Sequence, residues 1–167
     1  ELGFQGRHDA ANPTIHGLKT GQLVKVCAGD RNIDVQALAQ RVNFENFLDR
    51  DINAGFSGGE IKRSELLQLL AQNPGLVLFD EPESGVDLEN MHLIGNVIAG
   101  LLQKDRRHFE RTVSGLIITH TGHILDYVNV RTGYVMIDGR LSCGGDPHEI
   151  LGTIKQCGYE ECTRCAR

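Results

Sequence analysis

The sequence predicts an α/β protein built on a mostly parallel sheet, with a helical subdomain ahead of the sheet's acidic strand and a closing β-hairpin and helix. Three observations carry this. Leu76 to Phe79 is a short apolar run without polar alternation, bounded upstream by Asn73-Pro74-Gly75, which predicts a strand buried on both faces as in a parallel sheet. Gly115-Leu116-Ile117-Ile118-Thr119 is a second such run, separated from the first by a segment of helical period. Asp138-Gly139 stands between Tyr134–Ile137 and Arg140–Cys143, and Asp-Gly is the strongest two-residue hairpin turn.

The elements follow in order. Glu1 to Gly29 is polar and holds no sustained period. Asp34 caps a helix whose apolar positions Val35, Leu38, Ala39 and Val42 fall at i, i+3, i+4 and i+7, and Phe44, Phe47 and Leu48 repeat the spacing after a break. A helix opening at Ser57-Gly58-Gly59-Glu60 runs to about Gln72 with Leu66, Leu69 and Leu70 on one face. Asp87 caps the helix that carries Met91, Ile94, Ile98 and Leu101, and Lys104-Asp105-Arg106-Arg107-His108 is a solvated loop. A short helix is predicted over Gly122 to Tyr127, and Asp146-Pro147 starts the last one. The chain is expected to divide into residues 1–73 and residues 74–167.

Composition narrows the function classes. The chain has 167 residues, is 40% hydrophobic and carries a net charge of −5, so it offers no basic footprint for nucleic acid. No apolar run approaches the roughly 20 residues that span a bilayer, and no secretory leader is visible, so a cytoplasmic protein is expected. Five cysteines, three of them crowded at the end, do not form the pattern of a secreted disulfide framework. The sequence does not begin with methionine, and none of Lys19, Lys25, Lys62, Lys104 and Lys155 follows a glycine. A phosphate-cradling P-loop requires Gly-Lys, so the expectation is a fragment or processed product without one.

Three places carry chemistry. Asp80 and Glu81 follow the first strand at the sheet edge where open α/β folds place ligands, and paired acids there call for a cation, a proton or a polarised water. By themselves they would equally begin a polar loop. Ser57-Gly58-Gly59-Glu60 presents unpaired N–H groups, the positive end of a helix dipole and glycines that permit close approach, which together make a phosphate site. Ser-x-x-Glu is also a capping box, and both readings can hold. His120 ends the second strand on the same sheet edge as the acid pair if the two strands are parallel neighbours. At the tail, Cys157, Cys162 and Cys165 have spacing that fits an iron–sulfur cluster or zinc with a fourth ligand such as Cys143 or Cys27, and fits free thiols equally.

In this order and spacing the motifs resemble the ATPase of the ABC superfamily. Ser57-Gly58-Gly59-Glu60 is similar to its signature motif, Leu76 to Glu81 to its Walker B strand, Ser84-Gly85-Val86-Asp87 to its D-loop, and His120 to its switch histidine. The resemblance implies a partial P-loop NTPase core using ATP and Mg2+. It implies Asp80 as a magnesium ligand, Glu81 and His120 as catalytic groups, Ser57 to Glu60 as γ-phosphate contacts, Asp87 as a contact across the dimer interface, and Gln5 as the Q-loop glutamine at the metal and water. It also implies a second ABC ATPase subunit closing head to tail. Gly55-Phe56-Ser57-Gly58-Gly59-Glu60-Ile61-Lys62-Arg63 and Glu83-Ser84-Gly85-Val86-Asp87 are similar to the ATPase subunit of the SUF iron–sulfur cluster assembly system, although Ile61 replaces a lysine usual there. SUF-type scaffold proteins are then the implied partners. A transporter ATPase bound to transmembrane subunits and a non-catalytic interaction module are the alternatives. Without a P-loop, the chain alone is expected to be inactive.

Overall fold

The computed structural model describes residues 3–4 and 13–159. They fall into two compact units, Glu1–Tyr127 and Val128–Arg167.

The first unit is built on a three-stranded parallel sheet. β4 (Leu76–Asp80) is its central strand, flanked by β1 (Gly3–Phe4) and β5 (Ser114–Ile118). The β4–β5 register runs from Leu76 opposite Ser114 to Asp80 opposite Ile118, so both strands end at the same edge. α4 (Leu88–Leu101) makes the crossover between them, started by Asp87, whose carboxylate accepts the Asn90 backbone N–H at 2.8 Å. Met91, Ile94, Val97, Ile98 and Leu101 are its buried face. Gly115 leaves room for Leu102, since a Cβ there would stand 2.3 Å from Leu102 Cδ2.

The expectation that Leu76 to Phe79 is buried on both faces is corrected. Val77 and Phe79 are each 1% exposed, whereas Leu76 is 60% and Leu78 41% exposed. On β5, Leu116 and Ile118 continue the same open face. An unbroken apolar run marks a parallel strand correctly; it does not say whether both faces are covered within the same chain.

Ahead of the sheet lies the helical part. β2 (Ile15–Lys19) pairs antiparallel with β3 (Asp51–Ile52), and α1 (Thr20–Ala28) follows β2 directly. This helix falls in the segment expected to hold no periodic element. Its start is fixed from a distance: the N–H groups of Thr20 and Gly21 donate to the carbonyls of Arg50 and Leu48, each at 2.9 Å. Thr20, Val24 and Ala28, four residues apart, form its buried line, a pattern diluted by the polar residues between them. α2 (Val35–Gln40) is capped by Asp34, which accepts from the backbone N–H groups of Gln36 and Ala37. A 3₁₀ turn over Glu45–Phe47 brings Phe44, Phe47 and Phe56 into one aromatic cluster, with the Arg50 guanidinium 4.9 Å from the Phe56 ring centre. α3 (Gly58–Gln72) buries Leu66, Leu67, Leu69 and Leu70 and ends on Asn73 in the left-handed conformation. Over 122–127 the expected helix is a single 3₁₀ turn, His123–Asp126, with Ile124 buried.

In the second unit β6 (Gly133–Ile137) and β7 (Arg140–Gly145) form the predicted hairpin, with Asp138 and Gly139 both at positive φ as a tight primed turn requires. α5 (Pro147–Cys157) follows, its Asp146 cap accepting from the backbone N–H groups of His148 and Glu149. Among the described residues no helix is long and apolar enough to cross a membrane.

Candidate functional site

The common edge of β4 and β5 gathers the acid pair and the histidine. His120 Nδ1 lies 2.8 Å from Glu81 Oε1, with the histidine side chain 55% exposed and the glutamate 20%. An ionised carboxylate only accepts, so the imidazole donates in this bond. Glu81 occupies the left-handed region at φ 47°, an arrangement that costs about 1–3 kcal/mol for a non-glycine residue. The turn is secured by the Glu81 N–H donating to the Ile118 carbonyl at 2.9 Å and by the Ser84 N–H donating to the Glu81 carbonyl at 3.0 Å. Strain and hydrogen bonds together set this carboxylate against the neighbouring strand's histidine.

The start of α3 is a complete capping box. Ser57 Oγ accepts from the Glu60 N–H at 3.3 Å, and Glu60 Oε2 accepts from the Ser57 N–H at 2.6 Å. That backbone bond, the largest influence, holds the Glu60 carboxyl below its usual range. The Ser57 hydroxyl also bonds the Glu60 carboxylate, a smaller influence in the same direction, and the helix start carries the positive end of the dipole. Gly58 has a reason within the chain: a Cβ there would meet the Gly85 carbonyl at 2.9 Å. The 81–87 loop thus runs from the acid pair to the helix start, and a side chain at Gly58 would push them apart. Asp87, at the end of that loop, is held below the usual carboxylate range by the backbone N–H and then the side-chain amide of Asn90.

Asp80 is half-buried at the end of β4. Among the described residues no group of three or more His, Cys, Asp or Glu side chains could hold a metal ion. No soft-metal site is assembled among the described residues. Cys157 is exposed at the end of α5, Cys143 and Cys27 are half-buried, and Cys162 and Cys165 lie outside the described residues, as does Gln5. Burial pushes the Cys27 thiol up, against a smaller opposing effect of its hydrogen bond with Gln72.

Sequence reasoning missed Glu83, Thr119 and Thr121. Glu83 is 7% exposed, and its Oε1 accepts the hydroxyls of Thr119 and Thr121 on either side of His120. The Thr-His-Thr run was the available signal.

The chain has recognisable relatives in sequence and in fold. The family model described as ABC transporter matches residues 2–84. A probable ATP-dependent transporter, ycf16, of Cyanidium caldarium is 39% identical over 116 residues, which are 70% of this chain and 42% of that protein. The iron-sulfur cluster assembly protein SufC of Plasmodium falciparum is 36% identical over 115 residues, 69% of this chain and 31% of its own length. The chain therefore spans well under half the length of these curated relatives. Among solved structures, MJ1267, an ATP-binding cassette of an ABC transporter, matches with a TM-score of 0.66 at 20% identity, covering 96% of this chain and 66% of that one, a likeness of fold. Family model, sequence relatives and fold point the same way, and the chain belongs to the ABC ATPase superfamily.

Proposed function

We propose that this chain contributes the signature helix, the Walker B strand, the D-loop and the switch histidine to an ATP-hydrolysing head-to-tail dimer that energises iron–sulfur cluster assembly. The observation that carries the catalytic part is the Glu81–His120 bond at the shared end of two parallel strands. Glu81 orients and polarises the attacking water, and the imidazole fixes the carboxylate while its second nitrogen reaches for the γ-phosphoryl oxygens. To donate there as well, the ring must carry both protons. The Ser57 hydroxyl and the first N–H groups of α3 offset charge on the phosphoryl group of the nucleotide held by the opposite subunit. When bound, Mg2+ supplies charge neutralisation at the phosphates, and Asp80 is the residue that would hold it, through water. Phosphoryl transfer is catalysed mainly by such positioning and electrostatics.

The cluster-assembly role is supported by the similarity to SufC, and the partners are then soluble scaffold proteins. A second reading, the nucleotide-binding subunit of a transporter, is favoured by the name of the ycf16 relative and has transmembrane partners. Affinity capture of the tagged chain from its native source, with mass spectrometry and an ATPase assay of the captured assembly, tests both. Co-purifying scaffold proteins with turnover that Glu81→Gln removes support the first reading. Partners with transmembrane helices support the second, and a captured assembly whose turnover ignores Glu81→Gln overturns the catalytic part.

A further inference from the structure

Glu83 stands two residues beyond Glu81 and is buried. The residue is 7% exposed, and its Oε2 is buried without a hydrogen-bond partner. Oε1 accepts two hydroxyls, from Thr119 and, at 2.9 Å, from Thr121. Both threonines also accept from the backbone of their own turn. Thr119 Oγ1 takes the N–H groups of Thr121 at 3.3 Å and Gly122 at 2.8 Å, and Thr121 Oγ1 takes that of His123 at 3.3 Å. Every backbone N–H from Thr121 to His123 is thus tied, through one of two hydroxyls, to a single carboxylate oxygen.

Burying a carboxylate with one oxygen unpaired is unfavourable, and an apolar side chain of similar size would fill the space more cheaply. What the apolar residue would lose is the hold on the loop. His120, between the two threonines, has a side chain 55% exposed. An exposed side chain that makes a hydrogen bond loses rotamer freedom, so a backbone that already presents the ring correctly lowers the cost of the bond to Glu81. Glu81 and Glu83 lie on the same turn, so that turn sets both the carboxylate that His120 meets and the clamp that aims it.

We propose that Glu83 is the positioning residue of the switch loop: it clamps Thr119 and Thr121 and thereby holds His120 on Glu81. This rests on reading Glu81 and His120 as the reacting pair, but its test needs no nucleotide and is separable from that reading.

The test is NMR of the folded chain, following the His120 ring nitrogens in long-range 1H–15N spectra and the exchange of the Gly122 amide, for wild type, Glu83→Ala, Thr121→Val and Thr121→Ser. In Glu83→Ala the Nδ1 resonance is expected to move to its position in Glu81→Ala, where the acceptor is absent, and Gly122 exchange to accelerate roughly tenfold, the equivalent of one hydrogen bond. Thr121→Val is expected to produce part of both changes and Thr121→Ser, which keeps the hydroxyl, neither. An unmoved Nδ1 resonance in folded Glu83→Ala overturns the proposal. If that variant does not fold, an unmoved resonance in Thr121→Val overturns it and a shifted one that serine rescues supports it.

Discussion

His120 Nδ1 and Glu81 Oε1, 39 positions apart in sequence, meet at 2.8 Å because two parallel strands end at the same edge and the turn after β4 points its glutamate back across β5. The pair is partly open to solvent, so its contribution to stability is small, about 0–1 kcal/mol. On the proposed function its importance is chemical.

Substituting either member is therefore expected to separate activity from stability. Glu81→Gln should lower turnover of the assembled ATPase by about 10²–10³-fold while changing unfolding free energy by less than about 1 kcal/mol. Steady-state kinetics beside urea denaturation checks this. A large loss of stability would reassign the pair to a structural role.

Gly58→Ala tests the close approach of helix and loop. Alanine is the better helix former, yet its Cβ would sit 2.9 Å from the Gly85 carbonyl. Steric cost should win, with destabilisation of about 1–3 kcal/mol, read from the shift in urea midpoint. Gly152→Ala, within α5 and with nothing within 4 Å of the added carbon, is the control and should be neutral or stabilising.

The two faces of β4 should respond differently. Phe79→Ala, on the buried face, should cost about 3–5 kcal/mol, whereas Leu78→Thr, on the open face, should stay within about 0.5 kcal/mol. Chemical denaturation of both variants distinguishes a half-covered sheet from one covered on both sides.

Acid stability should report the two capping carboxylates. Glu60 and Asp87 are both held below their ordinary range by backbone N–H bonds at helix starts. Their unfolded forms then bind protons at higher pH than the folded ones. The stabilisation is complete above the unfolded values, about 4, and is lost as pH falls through the lower folded values. Urea midpoints measured between about pH 3 and 5 should rise with pH, and Glu60→Gln with Asp87→Asn should flatten that rise.

Local chemistry explains what was legible in the sequence. Asp34, Ser57, Asp87 and Asp146 each sit where a cap was expected, because capping depends on a few consecutive residues. The Asp-Gly turn likewise needs only its own two residues. α1 was not legible because its start is held by carbonyls of Leu48 and Arg50, far along the chain. The open face of β4 was hidden for a related reason: apolarity records what a strand is suited to face, while exposure depends on what else is present. At the site, His120 and Glu81 could be paired from strand endings alone. Glu83 could not, since a buried acid bound to two threonines across the fold has no short-range pattern.

The central claim is that the β4–β5 edge and the start of α3 recognise the phosphates of a nucleotide whose P-loop contacts come from outside this sequence. A 1H–15N NMR titration of the chain with Mg·ATP tests it most directly. The account predicts weak binding, on the order of 1 mM, about −4 kcal/mol, with shifts concentrated at Ser57 to Glu60, Glu81 and His120. Micromolar saturation, or shifts that spare those residues, would contradict it.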